Sequence, residues 1–120
     1  MARILVVDDD PTMRALLRKR LEAEGHEVAE AKDGVQGVAA IRRGGVDLLV
    51  IDVLMPGKGG IEALMELRED HPDLKILIVT GHSPTESEAF QNVARQFGAA
   101  RVFTKPVDFD AFLATVKKLL

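Results

Sequence analysis

The chain has 120 residues, 47% of them hydrophobic and 29% charged, which suits one buried core and excludes a disordered acidic tail. A formal net charge of -3 with both signs mixed leaves no basic stripe for nucleic acid, and the absence of cysteine excludes disulfides and thiolate metal sites. The first apolar run, Ile4-Leu5-Val6-Val7, is too short for a signal peptide or a membrane span. A single cytoplasmic domain over residues 1–120, with no membrane contact, is the expectation.

That first run reads as a strand, because an unbroken β-branched segment suits a position covered on both faces. Asp10 can cap the helix that follows and Pro11 suits its first turn, with Met13, Leu16, Leu17 and Leu21 at helical spacing and Gly25 ending it. Glu27-Val28-Ala29-Glu30-Ala31 alternates polar and apolar, as an edge strand does. Val35, Val38 and Ala39 mark a second helix, closed by Gly44-Gly45. Leu48-Leu49-Val50-Ile51 is a second apolar strand. Ile61, Leu64 and Met65 mark a third helix that ends before Pro72, and Ile76-Leu77-Ile78-Val79 is the third apolar strand. A fourth helix carries Ala89, Phe90, Val93, Ala94 and Phe97. Arg101-Val102-Phe103-Thr104 is a short strand, and from about Asp108 a last helix aligns Phe109, Phe112, Leu113, Val116 and Leu120 opposite Lys117 and Lys118. All these apolar stripes are expected to face the core.

Five strands alternating with five helices predict a (βα)5 sandwich: a doubly wound α/β fold with a five-stranded parallel sheet and helices on both faces. With the three apolar strands central and the weaker two at the edges, the flavodoxin-like order 2-1-3-4-5 is expected. In such a sheet the functional crevice lies beyond the carboxyl ends of the strands.

Four of those ends carry reactive or charged groups: Asp8-Asp9-Asp10, Asp52, Thr80 and Lys105-Pro106. Each alone also fits a cap, a strand end or a turn. Together on one rim the carboxylates would repel unless a cation joined them. Carboxylate oxygens without histidine or cysteine favour a hard cation, and a small cluster with room for water and phosphate favours Mg²⁺ over Ca²⁺. Such an ion would hold a phosphoryl group in line with an attacking carboxylate, while Lys105 and the Thr80 hydroxyl each meet another phosphoryl oxygen.

The segments ILVVDDD, DLLVIDVLMPGKGG, ILIVTG and FTKP, in this order and spacing, resemble the receiver domains of two-component response regulators along the whole chain. The resemblance implies that Asp52 accepts a phosphoryl group from a phosphohistidine of a sensor histidine kinase or histidine phosphotransfer protein. It further implies Asp9 as a direct Mg²⁺ ligand, Asp8 holding metal-bound water, Asp52 ligating through its second oxygen, and the Leu54 carbonyl completing the set. Thr80 matches the family's switch threonine and Lys105 its lysine, often followed by a cis bond to a proline such as Pro106. A downstream protein is expected to contact the face made by the fourth helix, fifth strand and fifth helix. Arg18-Lys19-Arg20 on the first helix reads as a solvated face that can also steer encounter with a kinase.

Two positions depart from the family pattern. Val102 stands where many receivers carry an aromatic residue that turns inward, and a stiff, short valine predicts a muted or differently relayed signal. Gly59 replaces a commonly acidic residue. His82 falls where the family tunes hydrolysis of the acyl phosphate, and the three histidines are too scattered to make a metal site. Two other readings compete: a haloacid-dehalogenase-type phosphatase, against which Pro11 stands before Thr12 in Asp8-Asp9-Asp10-Pro11-Thr12, and a receiver used only as a phosphorylation-independent scaffold.

Overall fold

The computed structural model describes residues 2–53, 60–81, 92 and 95–120. Five parallel strands form one sheet in the order β2-β1-β3-β4-β5. They are β1 (Arg3–Val7), β2 (Glu27–Ala31), β3 (Leu48–Ile51), β4 (Lys75–Thr80) and β5 (Arg101–Thr104). The three central strands are the apolar runs, since a strand covered on both faces has no solvent-facing position to make polar. Residues 4–7 of β1 and all four of β3 are buried, whereas the edge strand β2 exposes Glu27, Ala29 and Glu30.

Side-chain alternation splits the core into two layers. Leu5, Val7, Leu49, Ile51, Ile76, Ile78 and Val102 pack with residues of α2 (Gly34–Arg42) and α3 (Gly60–Asp70). Ile4, Val6, Leu48, Val50, Leu77, Val79 and Phe103 pack with α1 (Pro11–Ala23) and the C-terminal helix (Phe109–Leu119). Val102 and Phe103 thus lie on opposite faces. Phe112 anchors the second layer, fully buried and set edge-on to Phe103 and Phe109 at centroid distances of 5.4 and 6.4 Å.

Four helices are described, where the sequence pattern predicts five. The fourth predicted helix lies mostly outside the described residues, including Ala89, Phe90, Val93 and Ala94; Phe97 belongs to a turn and packs on the α2/α3 layer. Several expected core residues are instead exposed: Leu16, Val35, Ala39, Ile61, Met65 and Leu120. In α2 the reason is glycine. The buried line is Gly34, Gly37, Val38 and Ile41, with Gly37 so close to Val7 that a Cβ there would sit 3.0 Å from a Val7 methyl. The helix is rotated to bring its smallest residues to the sheet, which turns Val35 and Ala39 outward. In α1 the inward line is Leu17 and Leu21, one residue round from Leu16.

Aspartates cap three of the helices, Asp10 as the sequence suggests. Asp10 accepts from the Thr12 N–H at 2.9 Å and Asp108 from the Ala111 N–H at 3.2 Å. Asp33 does the same for Gln36 at 2.8 Å.

Phe112→Ala is expected to remove about 3–5 kcal/mol of stability, the usual cost of emptying a buried aromatic site. Urea unfolding followed by circular dichroism measures this, and a loss below about 1 kcal/mol would mean that the second layer does not depend on this ring.

Candidate functional site at the carboxyl ends of the strands

β1 and β3 are neighbours in register, with Val7 opposite Ile51, so the residue after each strand lands on the same rim. Those residues are Asp8 and Asp52, both buried at 1% and 4% exposure. Asp9 joins them but is exposed, and one carboxylate oxygen from each of the three lies within 4.8 Å of the others. Among the described residues this is the one group of acidic and histidine side chains close enough to hold a cation together.

Backbone pairing continues past the strands and fixes the rim. The Asp8 N–H donates to the Ala31 carbonyl at 3.1 Å and the Asp52 N–H to the Val7 carbonyl at 2.9 Å. On the other side, Thr80 lies opposite Thr104, and the Lys105 N–H donates to the Thr80 carbonyl at 2.9 Å. The next bond, Lys105–Pro106, is cis. From this position Lys105 reaches over β4 and β3, donating from Nζ to Asp8 Oδ2 at 2.9 Å and to Asp52 Oδ2 at 3.0 Å. Burial alone would lower the lysine's affinity for its proton, but hydrogen bonds and charge from Asp8 and Asp52 outweigh it and raise its pKa above the ordinary value.

Thr80 is completely buried, and its Oγ1 has no hydrogen-bond partner among the described residues. A buried hydroxyl left unpaired costs free energy comparable to a lost hydrogen bond, so it marks a place for a ligand atom. The donor set is carboxylate oxygen, with an ammonium and a hydroxyl beside it. This chemistry fits a hard divalent cation together with an anion.

Asp8, Asp9, Asp52, Thr80 and Lys105 are therefore all brought to one rim. Leu54, Met55, Pro56, Gly57, Gly59 and His82 lie outside the described residues. His26 and His71 sit before β2 and after α3, away from the rim.

Three supporting residues escaped sequence reasoning. Gly60 reads as flexible chain in the sequence, yet it opens α3 directly against the backbone of Asp52 and Val53. A Cβ there would overlap the Asp52 carbonyl oxygen and the Val53 Cα. Arg14, one turn into α1, donates from NH1 to the Asp8 carbonyl at 2.7 Å and from Nε to Glu30 at 3.2 Å. Glu30 in turn accepts from Arg18 at 2.8 Å, and this bond above all, aided by Arg14 against the opposing effect of burial, holds its carboxyl below the ordinary range. The glycine's signal is its place at the end of the DLLVIDVLMPGKGG segment that contains Asp52. Arg14 carries no motif, and only the fold brings it to Asp8.

A parallel sheet of this order, with acidic side chains and one lysine at its carboxyl rim, defines a doubly wound α/β protein. The response regulator receiver domain model matches residues 4–117, and the chain belongs to that family. It is 37% identical over 122 residues to the protein PilH of Pseudomonas aeruginosa, covering 100% of this chain and 98% of PilH. It is 36% identical to the response regulator MprA of Mycobacterium leprae, covering 98% of this chain but 50% of MprA. Among solved structures it resembles the response regulator TrrA of Thermotoga maritima, in complex with Mg²⁺-BeF, with a TM-score of 0.86, 37% identity and full coverage of both chains. No helix among the described residues is long and apolar enough to cross a membrane.

The three carboxylates lie close enough to repel one another, and among the described residues Lys105 pairs with Asp8 and Asp52 of this cluster. Asp9→Asn should then stabilise the metal-free fold while weakening cation binding. Differential scanning calorimetry without divalent ions should show a melting midpoint higher by roughly 1–3 °C, as a fraction of a kcal/mol gives in a domain of this size. A lower midpoint would show that Asp9 is held by favourable contacts instead.

Proposed function

We propose that this receiver domain takes a phosphoryl group from a phosphohistidine of a sensor histidine kinase or histidine phosphotransfer protein onto Asp52, with Mg²⁺ as cofactor. The observation that carries the reading is the unpaired, buried Thr80 hydroxyl on the same rim as the Asp52 carboxylate and the Lys105 ammonium. Carboxylate, ammonium and hydroxyl are the three groups that an acyl phosphate on Asp52 needs around it.

Asp9 and Asp52 would hold the ion directly, and Asp8, tied to Lys105 and to the Asp10 N–H at 3.0 Å, would hold its water. The Leu54 carbonyl is the remaining proposed ligand. Bound there, Mg²⁺ supplies positive charge to the carboxylates and to the phosphoryl oxygens. TrrA, of the same fold and 37% identical, is seen with Mg²⁺-BeF, which supports a divalent ion at this rim.

An Asp52 carboxylate oxygen attacks phosphorus, the P–N bond to the donor imidazole breaks, and that nitrogen keeps the electron pair and takes up a proton. Lys105 then exchanges its contact with Asp52 for a phosphoryl oxygen, and the Thr80 hydroxyl donates to another. Water later attacks the same phosphorus, the bond from phosphorus to the Asp52 oxygen breaks, and inorganic phosphate leaves, which restores the carboxylate. The chain turns over no separate substrate, so it acts as a switch rather than as an enzyme, in the cytoplasm where kinases of this kind present their histidines. The face of β5 and the C-terminal helix, with the fourth predicted helix, is the proposed surface for a downstream partner.

The test is incubation with acetyl phosphate in the presence and absence of Mg²⁺. An adduct that accumulates, hydrolyses in base and is lost in Asp52→Asn and in excess EDTA is the expected result. Continuous phosphate release without accumulation would favour a phosphatase of the haloacid dehalogenase type. No reaction at all would favour a phosphorylation-independent scaffold.

A further inference from the structure

We propose that Arg14 is a positioning residue for the cation site, acting through the Asp8 main-chain carbonyl and itself held by Glu30. The inference rests on the Mg²⁺-assisted reading of Asp52 given above.

Asp8 is held at four points. Its N–H donates to Ala31 at 3.1 Å, its Oδ1 accepts from the Asp10 N–H at 3.0 Å, and its Oδ2 accepts from Lys105 at 2.9 Å. The fourth is the Asp8 carbonyl, which accepts from Arg14 NH1 at 2.7 Å. This carbonyl and the Asp9 N–H belong to one rigid peptide plane. Fixing the carbonyl therefore fixes the direction in which the chain enters Asp9, whose side chain is the exposed member of the cluster. Strand pairing does not reach this plane, because β1 ends at Val7.

Arg14 can do this because it is itself restrained. Its side chain is only 18% exposed, and Nε donates to Glu30 Oε1 at 3.2 Å while NH1 holds the carbonyl. Arg18 holds the other Glu30 oxygen at 2.8 Å, so the carboxylate is fixed from both sides. A guanidinium presents several donors in one rigid plane and can serve both partners at once, which an ammonium on a flexible stem does less well. Arg14 is the member of this group that touches Asp8, whereas Arg18 meets only the far oxygen of Glu30. Outer partners that orient ligands in this way commonly matter about as much as some ligands do.

The experiment is a Mg²⁺ titration without any phosphodonor, followed by amide shifts of Asp9 and its neighbours, on wild type, Arg14→Ala, Arg14→Lys and Arg18→Ala. Melting midpoints of the metal-free proteins are measured alongside. Arg14→Ala is expected to weaken Mg²⁺ binding about tenfold, the lower end of the range for lost outer partners. Arg14→Lys should fall between it and wild type. Arg18→Ala loses ion pairs of the same network without touching Asp8, so it should lower the melting midpoint and leave Mg²⁺ affinity within about twofold, well short of the loss expected at Arg14.

Wild-type affinity in Arg14→Ala overturns the proposal. So does an equal loss in Arg18→Ala, which would make the effect one of general loosening. Should Arg14→Ala not fold, Arg14→Lys decides, and wild-type affinity there overturns the proposal. A wild-type protein that shows no Mg²⁺ response removes the cation reading itself, an outcome distinct from a responsive wild type matched by its Arg14 variants.

Discussion

Three carboxylates within 4.8 Å of one another cannot share a rim cheaply, and Lys105 is what makes that rim tolerable in the metal-free protein. Its ammonium crosses from the edge strand β5 to two buried aspartates on the central strands. Much of the fold serves this contact. Strand order 2-1-3-4-5 places β1 and β3 side by side for the acids and β5 beyond β4 for the lysine. The hydrogen bond from the Lys105 N–H to Thr80 sets the lysine's root, and the same β4 end carries the buried hydroxyl.

The rim gathers carboxylates, an ammonium and a hydroxyl in one place. One lysine offsets part of the negative charge, and the Thr80 hydroxyl lacks a partner among the described residues. A cation and an anion arriving together would meet both needs, since the cation joins the carboxylates and the anion satisfies the lysine and the hydroxyl.

The central strands were legible because burial on both faces leaves an unbroken apolar run, and the Asp10 cap was legible because capping is local. The α2 face was not, since hydrophobic spacing gives weight to large side chains and Gly34 and Gly37 are the residues that meet the sheet. Leu16, Ile61 and Met65 failed similarly, each lying one residue round from the line that packs. At the site, acids and lysine could be placed on one rim from strand order alone. The clamp by Arg14 could not, because it depends on a contact between segments with no shared motif, and the close approach of Gly60 to the Asp52 backbone is a packing detail that its place in DLLVIDVLMPGKGG does not reveal. Val102 and Phe103 did follow the alternation expected of a strand, one on each layer, so the valine faces α2 and α3 while the ring faces the C-terminal helix.

Asp52 is the carboxylate of the cluster proposed to form the acyl phosphate, with Asp8 and Asp9 proposed to serve the cation. Borohydride reduction converts a phosphorylated aspartate to homoserine, which peptide sequencing by mass spectrometry then places in the chain. After reaction with a small phosphodonor and Mg²⁺, homoserine at position 52 and at no other acidic position is the predicted result. Homoserine at position 8 or 9, or at none, would contradict it.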